Sequence, residues 1–243
     1  CLAYGSNVIC EKPLGINLAS AQELKKISLE NKKEVFCVLQ NRYSPPIKWL
    51  KEVVNNGSIG KVSHVQINCY WNRDDRYYFP NGKKHAWKGI KSKDGGVLYT
   101  QFSHFVDILT WVFGDVSNVN HRSSNFKHLN KTDFDDTGSI VFDIKDGGIG
   151  NFNYSTAVWD KNLESSLTVI GEKGSLKIGG QYMNEVVHCH IQDYEMPTLE
   201  ESQPANDYGH YKGSAQNHKF VIQNAIEYIL KGVKINGSKI INC

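Results

Sequence analysis

"NVICEKPLGINLASAQELKKISLENKKEVFCVL", residues 7–39, predicts a strand, a helix and a second strand in that order. Residues 7–10 form the first short apolar strand. Residues 20–31 repeat apolar side chains at near-helical spacing, with lysine and glutamate on the opposite face. Residues 34–39 are almost continuously apolar, as a parallel strand covered on both faces should be. We therefore expect residues 1–40 to form the end of a doubly wound α/β sheet.

After residue 40 the pattern changes to a run of strands. A helix is predicted from Pro45 to Asn56, a strand over 61–71, an irregular stretch over 72–96 and a strongly apolar helix over 96–114. Further strands are predicted at 116–126, 137–145, 149–158, 166–171, 174–178 and 184–191, followed by a polar segment at 192–214 and a helix at 215–231. Consecutive antiparallel strands indicate one large, open, mainly antiparallel sheet flanked by helices. The predicted fold class is α/β followed by α+β.

The composition excludes several classes of protein. The 243 residues include 40% hydrophobic and 22% charged residues, with a formal net charge of only +3. Because the basic residues are spread along the chain, we expect neither nucleic-acid nor membrane-surface binding. No run approaches the ~18 consecutive apolar residues of a transmembrane helix. The six cysteines are isolated and form no CxxC pair, which favours reduced thiols and a cytoplasmic protein.

Lys12 is the first candidate for chemistry. It follows a parallel strand, and open α/β sheets bind ligands in the crevice at the carboxyl ends of their strands. Partial burial would lower the pKa of this lysine, which suits a group that exchanges or orients a proton. Pro13 would hold the backbone rigid. The tripeptide Glu11-Lys12-Pro13 taken alone equally fits a surface lysine in a turn, and that alternative is the more common one.

The apolar helix predicted over 96–114 carries a second candidate. Thr100, His104, Asp107 and Trp111 recur on one helix face, and this polar stripe contains no lysine, arginine or glutamate. Asp107, one turn after His104, could fix the tautomer of its imidazole. The stripe fits a site and a satisfied core histidine equally well.

The irregular stretch 72–96 is the third candidate, because it combines basic and aromatic side chains: Arg73, Arg76, Tyr77, Tyr78, Lys83, Lys84, His85, Trp87, Lys88 and Lys91. Such side chains could bind an anionic, ring-bearing ligand, since arginine binds phosphate and carboxylate in a bidentate manner. A solvated loop is the alternative. His188 and His190 could share a strand face, but no further cluster supplies metal ligands, so no metal site is predicted.

Three segments together resemble the Gfo/Idh/MocA family of NAD(P)-dependent sugar oxidoreductases. They are Glu11-Lys12-Pro13 after a strand, "QNRYSPPIKWLKEVVNNGSIGKV" (40–62) and "DGGVLYTQFSHFVDILTWVFGDV" (94–116). Within that family, "CYWNRDDRYY" (69–78) and "NLESSLTVIGEKGSLKIGG" (162–180) are most similar to bacterial UDP-N-acetylglucosamine (uronic acid) 3-dehydrogenases. The resemblance implies oxidation of the C3 hydroxyl of a UDP-linked N-acetylhexosamine or its uronic acid during lipopolysaccharide biosynthesis.

The resemblance also implies roles for individual residues. Lys12 and His104 would flank the substrate hydroxyl, one as base and the other as orienting donor, and Thr100 departs from the Asp or Asn common in the family. The implied cofactor-binding residues are Glu11, Lys12, Pro13, Gln40 and Trp87. The implied substrate-binding residues are Arg42, Tyr43, Arg73, Tyr78, Thr100, Gln101 and Asp107.

The cofactor implied by the resemblance is NAD or NADP, with NAD favoured. The family's G-x-G-x-x-G turn is absent from this chain and is expected before Cys1, so the 243 residues alone should bind the dinucleotide poorly. Residues 1–40 would be the remnant of a Rossmann domain, and residues 41–243 the substrate and oligomerisation domain. A homo-oligomer formed through the open sheet is expected. A polyol or simple-sugar dehydrogenase and a non-catalytic sugar-binding or scaffold fragment remain alternatives.

Overall fold

The computed structural model describes residues 1–145, 147–209 and 211–232, so residues 146, 210 and 233–243 of the predicted 41–243 domain lie outside the described residues. The helices are α1 Leu18–Glu30, α2 Pro45–Asn55, α3 Asp75–Tyr78, α4 Lys91–Asp94, α5 Val97–Thr100, α6 Ser103–Phe113 and α7 His218–Lys231. The strands are β1 Val8–Cys10, β2 Val35–Cys37, β3 Val62–Tyr70, β4 Val116–Ser124, β5 Thr137–Ile144, β6 Ile149–Ser155, β7 Glu164–Gly171, β8 Gly174–Gly179, β9 Glu185–Ile191, β10 Ala205–Asp207 and β11 Lys212–Ala215. Within the described ranges, no helix has the length and hydropathy of a membrane span.

The first three elements form the predicted β-α-β unit. β1 and β2 pair in parallel, with Val8 opposite Val35. α1 begins after Asn17, whose side chain accepts a hydrogen bond from a backbone N–H of the first turn and so satisfies one of its unpaired donors. Because the strands are parallel, the segments that leave their carboxyl ends, at Lys12 and Gln40, emerge at the same edge.

The large sheet has seven strands in the order β4-β5-β6-β3-β7-β8-β9. Neighbouring strands are antiparallel throughout, except that β3 and β6 run parallel. This arrangement confirms the predicted mixed fold with a large, mainly antiparallel sheet. The predicted strand positions agree with the observed ones to within three residues at either end.

Helices α2 and α6 supply the apolar side chains that cover one face of this sheet. The fully buried side chains of this contact include Ile47 and Leu50 of α2 and Phe105 and Ile108 of α6. On the sheet they include Ile67 of β3. Each such side chain contributes on the order of 1.5–3 kcal/mol by leaving water. The apolar stripe of α6 is therefore held against the sheet, which fixes the direction in which its other side chains point.

The prediction of a single helix over 96–114 is wrong in one respect, because the structure has two helices there, α5 and α6. The backbone N–H groups of Gln101 and Phe102 both donate to the carbonyl of Val97, and Phe102 has φ −109° and ψ 5°, outside the helical region. The interruption ends α5 at Thr100, so the predicted continuous polar face from Thr100 onwards is broken there. Carbonyls in the last turn of a helix lack intrahelical partners and are open to other donors.

The predicted irregular stretch 72–96 contains α3, α4 and a 3₁₀ turn at Pro80–Gly82. It packs closely against the loop 125–136 that joins β4 and β5. Gly89 marks the contact, since its φ is +81° and a Cβ there would lie 2.9 Å from the carbonyl oxygen of Lys131. The loop 125–136 thus supports the stretch that carries the basic and aromatic residues.

A buried carboxylate, Asp136, holds the loop 125–136. Its oxygens accept hydrogen bonds from the backbone N–H groups of Phe126, Lys127 and His128, and Oδ2 lies 2.9 Å from Nδ1 of His128. Burial alone would raise the pKa of Asp136, but these hydrogen bonds outweigh burial and lower it to about 2. The folded state therefore favours the ionised carboxylate.

We expect Asp136→Asn to lower the free energy of unfolding by about 1–3 kcal/mol at neutral pH, because an amide cannot replace all these charge-assisted hydrogen bonds. A lowered folded-state pKa gives stability that is fully present above the ordinary pKa of 3.8 and is lost as pH falls through about 2. Urea unfolding of both proteins across this pH range measures the difference. The exposed Asp135→Asn serves as the control, and a difference that does not change with pH would contradict the account.

Candidate active site

A cavity of about 580 Å³ opens at the carboxyl ends of β1 and β2. This is the edge at which parallel α/β sheets bind their ligands. The predicted site residues that line it are Glu11, Lys12, Pro13, Gln40, Arg73, Trp87, Thr100, Gln101 and His104. They come from segments that are far apart in the sequence, so the fold brings them together.

Lys12 extends from the end of β1 to the end of α5. Its Nζ donates a hydrogen bond to the backbone carbonyl of Thr100 at 2.5 Å, and the Lys12–Pro13 peptide bond is cis. Burial lowers the pKa of Lys12 from its ordinary value of 10.5; the charge of Glu11 opposes this effect and that of Arg73 adds to it. A lysine with a lowered pKa exchanges its proton more readily near neutral pH.

His104 lies in the first turn of α6 and is buried, with 3% of its surface exposed. Its Nδ1 has no hydrogen-bond partner among the residues that the structure describes. Burial lowers the pKa of His104 well below 6.5, and the charges of Lys12 and His218 lower it further. The imidazole is therefore neutral at neutral pH, and one of its nitrogens is able to accept a proton.

Arg73 follows β3 and is buried in the cavity wall among aromatic rings. Its Nε donates to Oε1 of Gln101 at 2.6 Å, and Nε2 of Gln101 donates to the hydroxyl of Tyr77 at 2.8 Å. The guanidinium carbon lies 4.8 Å from the ring centroid of Trp71 and 4.4 Å from that of Tyr211. Burial lowers the pKa of Arg73 from 12.5, yet a guanidinium remains charged in proteins. The wall thus contains a buried positive charge.

Aromatic and basic side chains form the rim of the cavity. Trp87 is 40% exposed, and Nζ of Lys88 lies 4.1 Å from the ring centroid of Tyr77, a distance typical of a cation–π contact. The hairpin of β10 and β11 carries Tyr208 and Tyr211, whose rings stack with centroids 5.0 Å apart. Flat, partly exposed rings beside cations suit a ligand that has both a ring and negative charge.

Four predicted substrate-binding residues do not line the cavity: Arg42, Tyr43, Tyr78 and Asp107. The Nε and Nη2 groups of Arg42 donate to the two carboxylate oxygens of Asp107, with 2.8 Å between Nε and Oδ2. The hydroxyl of Tyr43 donates to Oδ1 of Asn224 at 2.9 Å, and Tyr78 is 2% exposed. All four are engaged inside the fold and none lines this cavity, so their interpretation as ligand contacts stays a prediction.

Asp107 pairs with Arg42 in the structure, so the hypothesis that Asp107 fixes the tautomer of His104 is corrected. Both carboxylate oxygens accept hydrogen bonds from Arg42, so the arginine is the partner of this carboxylate. The pair is largely buried, at 6% and 12% side-chain exposure. It ties α6, which carries His104, to a 3₁₀ turn at Gln40–Tyr43.

Sequence reasoning missed several residues that line the cavity, among them Asp94, Tyr208, Tyr211 and His218. Asp94 opens the segment 94–116, whose resemblance to the family draws attention to His104 and not to this carboxylate. The two tyrosines lie in the polar segment 192–214, whose composition is typical of a connection. Their close spacing in "YGHY" was the available signal, whereas nothing local to His218 indicated a site.

The possible histidine pair on β9 lacks further metal ligands in the described part of the chain. His188 and His190 share one strand face, as predicted, and lie opposite Lys177 and Ser175 of β8. Nε2 of His188 is 3.2 Å from the hydroxyl of Ser175. No group of three or more His, Cys, Asp or Glu side chains is arranged to hold a metal ion in residues 1–145, 147–209 and 211–232.

Comparison with solved structures finds the same fold in two bacterial dehydrogenases. The WlbA dehydrogenase from Chromobacterium violaceum, solved in complex with NADH and UDP-GlcNAcA, is 27% identical with a TM-score of 0.80, covering 100% of this chain and 66% of that one. The WlbA dehydrogenase from Bordetella pertussis, solved with the same two ligands, is 24% identical with a TM-score of 0.81, covering 99% and 66%.

Comparison of sequences finds a mammalian relative and a family. Trans-1,2-dihydrobenzene-1,2-diol dehydrogenase from Mus musculus is 26% identical over an alignment of 238 residues that covers 96% of this chain. The chain spans 65% of that protein's length. Residues 47–177, more than half of the chain, match the family model described as the GFO/IDH/MocA C-terminal domain. The chain belongs to the Gfo/Idh/MocA family of oxidoreductases.

Proposed function

We propose that this protein is an NAD(P)-dependent dehydrogenase, with NAD favoured, that oxidises the C3 hydroxyl of a UDP-linked N-acetylhexosamine or its uronic acid. The observation that carries the proposal is that Lys12 and His104, 92 positions apart in the sequence, line one cavity at the carboxyl ends of parallel strands. Family membership supports an oxidoreductase. The WlbA dehydrogenases, solved with NADH and UDP-GlcNAcA, support the choice of cofactor and substrate.

The cavity lining fits the nicotinamide end of a dinucleotide. Oε1 of Gln40 is buried and has no hydrogen-bond partner in the described part of the chain, so a carboxamide N–H would satisfy it. Glu11 and Lys12 border the same cavity, and Trp87 supplies a flat apolar surface. A bound nicotinamide would accept the hydride. Gln40 and Trp87 would hold its ring close to the substrate carbon.

Lys12 and His104 would act on the proton of the substrate hydroxyl. Oxidation of an alcohol removes the O–H proton and, as hydride, the hydrogen of the C–H bond. One of the two groups would take the proton, while the other would donate a hydrogen bond to the same oxygen. Thr100 holds Lys12 through its carbonyl, and its own hydroxyl donates to the carbonyl of Gly96 at 3.1 Å. Thr100 would therefore position the lysine rather than exchange the proton.

The charges around the cavity favour an anionic substrate. Its lining contains the basic residues Lys12, Arg73, Lys88 and Lys93, against the acidic residues Glu11 and Asp94. A cavity with more positive than negative groups concentrates anions and attracts phosphate and carboxylate. This excess supports a nucleotide sugar over a neutral polyol.

The second candidate is oxidation of a neutral sugar or diol. The observation in its favour is that the mouse relative is named as the dehydrogenase of a dihydrodiol. A non-catalytic sugar-binding role is the third candidate. The thermal unfolding midpoint of the full-length protein separates the first two candidates, because a nucleotide-sugar enzyme should be stabilised more by UDP-sugars than by free sugars or diols. A larger shift with the neutral compounds would favour the second candidate.

We also propose the domain organisation and the assembly. Residues 1–40 would belong to the dinucleotide-binding domain, and residues 41–243 to a substrate domain. The sheet face opposite α2 and α6 carries polar side chains such as Gln66 and Asn151 and would join subunits in a homo-oligomer. Light scattering during size-exclusion chromatography measures the mass, and a monomer would contradict this part. A cytoplasmic location remains a prediction.

The proton-handling pair is tested by Lys12→Ala and His104→Ala in the full-length protein. We expect each variant to lose about 10²–10⁴-fold in kcat, because general acid–base groups contribute that much. Turnover is followed by NADH absorbance with UDP-GlcNAcA as substrate. The control is the exposed Lys161→Ala, which should retain wild-type turnover. Retention of wild-type turnover by both site variants would refute the assignment of these two residues as the proton-handling pair.

The pH dependence of turnover decides which residue takes the proton. Oxidation requires the base to be unprotonated, so kcat/KM should rise with pH through the pKa of that base. The pKa of Lys12 is lowered from 10.5, and that of His104 lies well below 6.5. A rise of kcat/KM centred between pH 6.5 and pH 10.5 would assign the base to Lys12. A rise below 6.5 would assign it to His104. A rate that is flat across the whole range would contradict both.

A further inference from the structure

Arg73 carries a buried charge that no carboxylate neutralises in the described part of the chain. Its side chain is 2% exposed, and the nearby Asp74 forms its ion pair with Arg76 instead. Removing a guanidinium from water without an anionic partner is costly, and proteins avoid it unless the charge has a use. The position of Arg73 in the wall of the cavity suggests what that use is.

The surroundings of the guanidinium leave one part of it available. The guanidinium carbon lies over the rings of Trp71 and Tyr211, at 4.8 Å and 4.4 Å from their centroids. Nε donates to Gln101, and Nη1 donates to the backbone carbonyl of Asn72 at 2.6 Å. Among the residues that the structure describes, Nη2 has no hydrogen-bond partner. The rings and the two bonded nitrogens hold the group rigidly, so Nη2 is pre-positioned.

The available group is close in the structure to the proton-handling residues. Gln101, the partner of Nε, directly follows Thr100, whose carbonyl holds Lys12. His104 lies three residues further along the same segment. The charge of Arg73 is also one of the causes that lower the pKa of Lys12. An anion bound by Arg73 would therefore lie beside the reacting part of the substrate.

We propose that Nη2 of Arg73 binds an oxyanion of the substrate and that this contact selects charged over neutral sugars. The inference rests on the proposed function and narrows its substrate class. A carboxylate on the sugar ring and a phosphate of the attached nucleotide share the required chemistry, since both accept N–H groups from arginine. Binding would give the guanidinium of Arg73 the anionic partner that it lacks among the described residues.

Isothermal titration of the full-length protein with UDP-GlcNAcA, UDP-GlcNAc and UDP tests the inference without requiring turnover. We expect Arg73→Gln to weaken binding of UDP-GlcNAcA by about 10- to 100-fold, the usual effect of losing a hydrogen bond to a charged group. If the oxyanion is the sugar carboxylate, the affinities for UDP-GlcNAc and UDP should not change. If it is a phosphate, all three affinities should fall by the same factor.

Two further variants make the result interpretable. Arg122→Gln removes an exposed arginine outside the cavity and should bind all three ligands as the wild type does. Arg73→Lys keeps the charge but not the planar guanidinium, so we expect a loss of affinity smaller than that of Arg73→Gln. This variant also tests the inference if Arg73→Gln does not fold. Wild-type affinity of Arg73→Gln for every ligand or, if that variant does not fold, wild-type affinity of Arg73→Lys would overturn the inference, as would no binding of any of the three ligands by the wild type. Absence of NADH formation in a separate assay would instead refute the proposed function.

Discussion

The burial of α6 against the seven-stranded sheet is the constraint on which the candidate site depends. Phe105 and Ile108 are fully buried in the contact, and such side chains together contribute several kcal/mol on the order-of-magnitude scale for apolar burial. Their position fixes the rotation of the helix and so directs His104 into the cavity. The interruption before α6 then places the end of α5, with the carbonyl of Thr100, within reach of Lys12. The same apolar contacts therefore organise both halves of the proposed proton-handling pair.

Several polar groups of the cavity lower the stability of the folded state but suit a chemical role. Lys12 and Arg73 are cations taken out of water, and burial lowers the pKa of each. His104 is buried, and its Nδ1 lacks a partner within the described part of the chain, which costs about as much as a lost hydrogen bond. The hydrogen bonds of Lys12 and Arg73 within the fold offset only part of this cost, and a bound ligand would offset more of it. Polar and charged groups left in this state are a feature of functional sites, where local rules of stability are broken. Apolar contacts and the hydrogen bonds around Asp136 supply the stability elsewhere.

Most of the fold could be predicted from the sequence, because its helices and strands follow from the local spacing of apolar and polar residues. The apolar run of β2 and the alternation of β3 depend only on neighbouring residues, and both strands were located to within about three residues. The interruption at Gln101 and Phe102 could not be predicted, since no glycine or proline marks it. It follows from two backbone N–H groups sharing one carbonyl in a tertiary setting.

The candidate site was predicted only in part, for a related reason. A motif shows which residues have suitable chemistry but not which partner they find. Arg42 and Asp107 have the residue types of a ligand-binding pair, yet they are 65 positions apart and bind each other. Tyr211 reaches the site from a hairpin that begins 92 residues after the end of α6, so its contact with Arg73 is visible only in three dimensions.

The most direct test of the central claim follows a hydrogen atom. The full-length protein is supplied with NAD⁺ and UDP-GlcNAcA that carries deuterium at C3 of the sugar, and the reduced cofactor is analysed by mass spectrometry. The account predicts that NADH forms and that it contains the deuterium, because the C3 hydrogen leaves as hydride while the hydroxyl proton goes to Lys12 or His104. Formation of unlabelled NADH, or no formation of NADH at all, would contradict the account.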